Sequence, residues 1–178
     1  MKTIFYVALI AIAWVIFFQL NMYVFSDFKH NLYTTCVFLP AGLRLVSVLL
    51  VNETAILGIF IGTFIANDLI EIPLQYSLVL SFISAINPYI AIKLSKRLLK
   101  IDDLLSNLTP SNLIVMSLIS SIFNGVAQNL YLLSTNLSNK PVSDVFCMII
   151  GDFLGCLILL YVLSISLKLV RRLNCKQG

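Results

Sequence analysis

Two ionisable residues of opposite charge lie inside long apolar runs of this sequence. Arg44 lies in the run from Cys36 to Val51, and Asp152 lies in the run from Val145 to Val170. A charged side chain at the centre of a membrane helix costs roughly 2.5 to 3.5 kcal/mol on insertion scales, so such groups usually pair or line a polar cavity. We therefore expect function to centre on this pair.

The composition of the chain indicates that its environment is lipid. Of its 178 residues, 60% are hydrophobic and 11% are charged, and the mean hydropathy is +0.99. Soluble domains carry about 25% charged residues. The composition predicts an integral membrane protein with one transmembrane domain over residues 1–178 and the lipid bilayer as its immediate partner. The net charge of +4 follows membrane topology, so we expect no nucleic-acid partner.

Apolar runs bounded by polar clusters predict an all-α fold, a polytopic membrane bundle of about six transmembrane helices. Each run is near the ~20 residues that cross a hydrocarbon core. The second and third are short and polar enough to be tilted, broken or partly re-entrant. The predicted helices cover approximately residues 4–25, 33–51, 54–71, 75–97, 112–134 and 144–170.

Basic residues are distributed unevenly between the two sides of such a bundle. With six spans, nine fall on one side, and the loops of the other side hold only Lys29 and Lys140. The positive-inside rule then places both termini of this multi-pass protein in the cytoplasm. The nine residues are Lys2, Lys93, Lys96, Arg97, Lys100, Lys168, Arg171, Arg172 and Lys176.

Several polar residues are predicted to meet at one depth. The second, fourth and sixth helices run in the same direction, and each residue advances 1.5 Å, which puts Arg44 and Asp152 at roughly 12 to 18 Å from the outer face. The remaining members of this layer are Asn87, Asn124 and Gln128, with Asn67 and Asp68 above it at the outer end of the third helix.

The polar layer has two interpretations. In one, Arg44 and Asp152 form a structural clamp, with the amides satisfying one another across helices. In the other, the layer lines a cavity open to the outer leaflet or periplasm, where a small polar or anionic ligand meets Arg44. If the spans are assigned wrongly, these groups never meet.

Residues with catalytic or metal-binding potential are sparse. The four cysteines (Cys36, Cys147, Cys156 and Cys175) have no CxxC spacing, and His30 is the single histidine. We expect the cysteines to be small apolar fillers, and we expect no metal, no cofactor and no enzymatic activity.

Two glycine pairs have the spacing that lets membrane helices approach closely. Gly58 and Gly62 form one pair on the third helix, and Gly151 and Gly155 flank Asp152 on the sixth. We expect them to serve internal packing rather than dimerisation, and those around Asp152 let a neighbour's backbone approach its carboxylate.

Five segments with recognisable motifs follow one another along the sequence: residues 39–43, residues 57–67, Asn87 before Pro88, residues 96–99 and residues 151–155. The first is a proline-alanine-glycine turn, the second a glycine-rich helix ending in asparagine, the fourth a basic stretch and the fifth a glycine-aspartate motif. In this order they resemble the MASE1 family of bacterial membrane sensory domains, in which a glycine-asparagine tends to occupy the position of Asn87. The resemblance implies a multi-pass protein of the bacterial inner (plasma) membrane.

This resemblance implies a sensory module that signals to a cytoplasmic output. The sequence contains no Gly-Gly-Asp/Glu-Glu-Phe motif or kinase box, so we expect the output to belong to a separate partner protein. The alternative is a small transporter or the substrate-binding subunit of an energy-coupling-factor transporter. Such subunits usually carry an alanine-x-x-x-alanine pattern, which Ala8, Ala11 and Ala13 do not provide.

Overall fold

The computed structural model describes residues 2–102, 104–138 and 140–174, with side chains as far as residue 170. Six α-helices make up most of these residues, and a short 3-10 turn, Ser26–Phe28, follows the first. The all-α prediction is confirmed. The helices are α1 (Lys2–Val24), α2 (Pro40–Val51), α3 (Thr54–Asp68), α4 (Leu74–Leu98), α5 (Pro110–Ser134) and α6 (Pro141–Asn174).

Four helices, α1, α4, α5 and α6, are long and apolar enough to cross a membrane. The other two are shorter, with 12 residues in α2 and 15 in α3. At 1.5 Å per residue, α2 is about 18 Å long, less than the ~30 Å of a hydrocarbon core. Six complete crossings and cytoplasmic termini therefore stay predictions.

The shortest helix lies at the centre of the bundle. α2 packs against each of the five other helices, which follow one another around it in the order α1, α3, α4, α5 and α6. No residue from Pro40 to Leu49 is exposed, and Leu45 is completely buried. A charge on α2 is therefore surrounded by protein.

Residues 29–39, which we call the strap, fill the gap between α1 and α6. The Phe38 ring makes edge-to-face contacts with Trp14 and Phe18 of α1. On the other side, the Phe38 N–H donates to the Gly151 carbonyl of α6 at 3.0 Å. The strap thus closes the ring of helices around α2.

The predicted start of the second helix at residue 33 is wrong. The strap is not helical, and α2 begins at Pro40. The Pro40 nitrogen has no hydrogen to donate to an earlier turn, so proline favours the first position of a helix. Backbone groups of the strap find partners elsewhere, as in the 2.8 Å hydrogen bond from the Leu39 N–H to Asn21 Oδ1.

The two ends of the bundle differ in chemistry. The cavity end comprises the strap, the start of α6 and the neighbouring ends of α1, α3, α4 and α5. The basic end comprises the α2–α3 turn and the α4–α5 link, where Thr109 caps α5 by accepting from the Asn112 N–H. The core towards the basic end is apolar and includes Val48, Ala55, Ile59, Ile92 and Met116, all at most 3% exposed.

Candidate functional site

Arg44 lies one turn into α2 and is 2% exposed. Its Nη2 donates to Asp152 Oδ2 at 2.7 Å, and its Nη1 donates to Ser84 Oγ at 3.1 Å. Both charged side chains of the pair are 3% exposed. A buried pair with such geometry offsets part of its desolvation cost, and loss of one partner leaves an uncompensated charge.

Aromatic rings lie against the guanidinium of Arg44. Its central carbon is 5.8 Å from the centroid of the Trp14 ring and 5.7 Å from that of Phe38. Cations are attracted to the faces of such rings, most strongly where water is excluded. The guanidinium is thus enclosed by Asp152, Ser84 and two aromatic side chains.

Asp152 accepts hydrogen bonds from two helices. Besides Arg44 of α2, Asn124 of α5 donates its Nδ2 to Oδ2 at 2.6 Å. Gln128 in turn donates to Asn124 Oδ1 at 3.0 Å. The donors in this chain all point towards the carboxylate, so its role is that of an acceptor.

A cavity of about 80 Å³ extends from Asp152 to the strap. Lys29 and Leu32 line it and are exposed, so it reaches the surface. Cavities need roughly 10 to 15 Å³ per water molecule by this measure, so this one has room for a small polar solute. Its polar lining consists of Lys29, Asn31, Tyr33, Thr34, Thr35, Thr63, Asn67, Ser84, Asn124, Gln128 and Asp152.

Three buried polar atoms in the cavity wall have no hydrogen-bond partner among the described residues. They are Trp14 Nε1, Thr34 Oγ1 and Thr63 Oγ1. A buried donor left unpaired costs about 1 to 3 kcal/mol, so unpaired groups in a folded protein need an explanation. One explanation is a ligand that supplies the missing hydrogen-bond partners.

The strap forms the roof of the cavity and is fixed to α6 by covalent and backbone contacts. Cys36 and Cys147 form a disulfide with a Cα–Cα distance of 4.8 Å. The expectation that all cysteines are fillers is therefore wrong for this pair, whose 111-residue separation gives no spacing signal. Cys156 is free and buried, and Cys175 lies outside the described residues.

A second contact joins the strap to α6 beside the disulfide. Asp144 is buried and lies 3.2 Å from His30 Nε2, and it accepts from Asn31 Nδ2 at 2.9 Å. Its other oxygen accepts from Ser138 at 2.5 Å. His30, the single histidine of the sequence, thus lies against Asp144, which the sequence analysis did not single out.

The glycines around Asp152 permit close approach of the strap to α6. A methyl group added at Gly151 would overlap the Thr35 carbonyl oxygen, and one at Gly155 would overlap that of Phe38. These two glycines therefore pack against an extended segment rather than against a helix. On α3, by contrast, Gly58 faces Ile10 of α1 and Gly62 faces Trp14.

The remaining predicted polar residues occupy separate positions. Asn67 lines the cavity and donates to Ser81 Oγ at 3.2 Å, whereas Asp68 is exposed. Asn87 is buried, but its Nδ2 has no partner among the described residues, and it contributes nothing to the cavity wall. The depth of a residue along a helix does not specify the direction in which its side chain points from the helix axis. Asn87 therefore lies at the depth of the polar layer but not among the residues that line the cavity.

The rim of the cavity carries a tyrosine whose ionisation is suppressed. Burial raises the pKa of the Tyr33 phenol, and the neighbouring Tyr76 raises it further. Tyr33 therefore stays neutral at physiological pH. Among the described residues, no group of three or more histidine, cysteine, aspartate or glutamate side chains is placed to hold a metal ion.

Comparison with known proteins does not assign this chain to a family. No protein-family model matches it, and neither a curated protein nor a solved structure is significantly similar. The resemblance to MASE1 domains stays a prediction, and function has to be argued from the site.

Proposed function

We propose that this chain is a sensory module of the bacterial inner membrane that binds a small polar solute in its cavity and signals through a separate partner protein. The observation that carries the proposal is the polar cavity with the buried polar atoms of Trp14, Thr34 and Thr63 in its wall, which have no hydrogen-bond partner among the described residues. Ligand sites are concave and place a few polar groups among apolar ones.

The disulfide supports the predicted orientation. Stable disulfides form in oxidising compartments such as the periplasm, and Cys36–Cys147 lies at the cavity end. Lys93, Lys96 and Arg97 lie at the opposite end of α4. In this orientation, the cavity faces the periplasm and the basic end faces a cytoplasmic partner.

The segments that resemble MASE1 motifs are neighbours in space. A methyl group added at Gly42, in the proline-alanine-glycine segment, would lie 3.0 Å from the Gly155 carbonyl oxygen in the glycine-aspartate segment. Arg44 and Asp152, which follow or lie within these segments, form the ion pair. This contact gives the two motifs a shared role in building the site and supports a MASE1-like module.

Transport is the second candidate, favoured by the non-helical strap beside the cavity. Transporters often build substrate sites from interrupted helices. However, the disulfide and the contact between the Phe38 N–H and Gly151 hold the strap on α6, which opposes the opening motion of a carrier. Uptake of a bound solute by proteoliposomes would favour transport over sensing.

The binding step can be tested with the protein in lipid nanodiscs and its disulfide intact. We expect at least one member of a library of small polar metabolites to raise the melting temperature saturably. Thr63→Val should raise the solute concentration at half-maximal shift about fivefold, because it replaces a cavity hydroxyl with a methyl group of similar size and removes one hydrogen bond of about 1 kcal/mol. Ser77→Ala is the matched control, since the Ser77 hydroxyl is also buried and has no partner among the described residues but lies outside the cavity wall.

The signalling step needs a second experiment. Purification of the tagged protein from its own membranes in mild detergent should recover a specific partner, and gene deletion should change that partner's output. A concentration at half-maximal shift that is the same in Thr63→Val as in the unmodified protein would overturn the assignment of the cavity. Recovery of the chain alone, with no change in output on deletion, would overturn the sensory role.

A further inference from the structure

The positive charge nearest the cavity is not available to a ligand. Arg44 does not line the cavity, and its guanidinium is engaged by Asp152, Ser84 and the faces of Trp14 and Phe38. An anion could reach it only by displacing Asp152. Lys29 is the one cationic residue in the described cavity wall, and it is exposed at the surface.

The negative charge in the cavity is likewise already compensated. Asp152 lines the cavity, and its Oδ2 lies 2.7 Å from Arg44 Nη2. A bound cation would gain attraction from the carboxylate and suffer repulsion from the guanidinium behind it. The pair as a whole carries no net charge, so neither ionic class of ligand finds an anchor.

Uncompensated hydrogen-bonding capacity remains on both sides of the cavity. The Trp14 indole offers a donor, and the hydroxyls of Thr34 and Thr63 can donate or accept. Both described hydrogen bonds to Asp152 end on Oδ2, so Oδ1 keeps its accepting capacity. A ligand with an acceptor for the indole and a donor for the carboxylate matches this set.

We propose that the cavity selects an uncharged solute of the amide or polyol class and that the Arg44–Asp152 pair makes it discriminate against ions. This inference rests on the proposed binding function and narrows the small polar or anionic ligand of the cavity interpretation to an uncharged one. An engineered cavity of 150 Å³ holds benzene. At about 80 Å³, this cavity encloses a group of about three heavy atoms by proportion, and a slightly larger molecule can extend towards the opening at Lys29 and Leu32.

The charge preference can be tested with three molecules of the same shape: acetate, acetamide and acetamidinium. At pH 7 they carry charges of −1, 0 and +1. Trp14 is the single tryptophan of the chain and lines the cavity, so 15N-labelled indole gives one NMR signal that reports occupancy. The measurement uses the full chain in nanodiscs at constant ionic strength.

We expect acetamide to shift the indole signal saturably, with an affinity at least tenfold higher than that of either ion. Thr63→Val should weaken acetamide binding about fivefold, which corresponds to loss of one hydrogen bond of about 1 kcal/mol. Ser77→Ala, outside the cavity wall, should leave the affinity unchanged.

The outcomes separate the ligand class from the binding function. Tighter binding of acetate or acetamidinium than of acetamide would overturn the proposed class and leave a binding module in place. The same holds if none of the three shifts the signal but a library metabolite raises the melting temperature. If neither the probes nor the library gives a saturable response, the binding function itself is overturned.

Discussion

Towards the basic end, two buried hydroxyls bond within their own helices, whereas at the cavity end buried hydroxyls reach other elements or find no described partner. Ser95 and Ser121 each donate to the carbonyl four residues earlier, at 2.7 and 2.8 Å. In the cavity wall, Thr34 and Thr63 have no described partner. A serine that donates to a carbonyl of its own helix can be buried in an apolar core without a hydrogen-bond partner on another helix. The cavity end instead keeps polar groups whose partners must come from elsewhere.

The largest expected effect comes from removing one ion pair at each of the two ends and comparing the losses of stability. Arg44→Met should lower the free energy of unfolding by about 3 to 5 kcal/mol, because it leaves a buried carboxylate uncompensated. Lys93→Met, which removes an exposed pair with Glu53 at 3.9 Å, should leave it unchanged within error. Denaturant titration in mixed micelles measures both.

A double variant sharpens the result. Asp152→Leu added to Arg44→Met should recover most of the lost stability, because no buried charge then remains. An equal loss from Arg44→Met and Lys93→Met would contradict the difference between the two ends.

The next largest expected effect on stability concerns the close contact between the strap and α6. Gly155→Ala should cost about 3 kcal/mol, the upper part of the range for overpacking, because the added methyl meets the backbone of Phe38. Gly125→Ala meets the Ile149 side chain instead and should cost less. Melting temperatures of the oxidised proteins would measure this, and equal losses would show that the strap can shift.

A matched pair of serines gives a smaller effect. Ser84→Ala should destabilise the protein by about 1 to 2 kcal/mol, because a guanidinium N–H loses its acceptor. Ser121→Ala should change stability by less than about 0.5 kcal/mol, since the Ser117 carbonyl that accepts from the Ser121 hydroxyl keeps its place in the helix. Both positions are almost fully buried. A larger loss of stability from the serine that bonds within its own helix than from Ser84→Ala would contradict the difference between the two ends.

The smallest effect lies in the exposed link at the basic end. The Ser106 hydroxyl donates to Asp102 and lowers the pKa of that carboxyl below its ordinary value. This lowering contributes stability above the ordinary pKa of aspartate that is lost as pH falls through the folded value. Ser106→Ala should raise the pKa of Asp102, which carboxyl 13C NMR measures. An unchanged pKa would show that backbone donors, not Ser106, hold it low.

The sequence predicted the elements that follow from local pattern. Apolar runs bounded by polar clusters located the helices. Counting residues along helices brought Arg44 and Asp152 to one depth, and the structure shows them in contact. These features depend on length and periodicity, which a single sequence contains.

Features that depend on contacts between distant segments were missed. Residues 36–43 contain no polar side chain, so a buried extended segment could not be distinguished from a helix before Pro40. Cys36 and Cys147 lie 111 residues apart, and spacing says nothing about such a pairing. Trp14 was overlooked because its indole acquires its role only once α1, the strap and Arg44 are brought together.

The separation of Arg44 from its counter-ion has a consequence for biosynthesis. Asp152 follows Arg44 by 108 residues, and at 5 to 20 residues per second translation delivers it roughly 5 to 20 s later. During that interval, the nascent α2 carries an arginine whose carboxylate partner does not yet exist. The charge must therefore wait at the membrane surface or in the insertion machinery, and α2 can reach its central position only when the last helix is made.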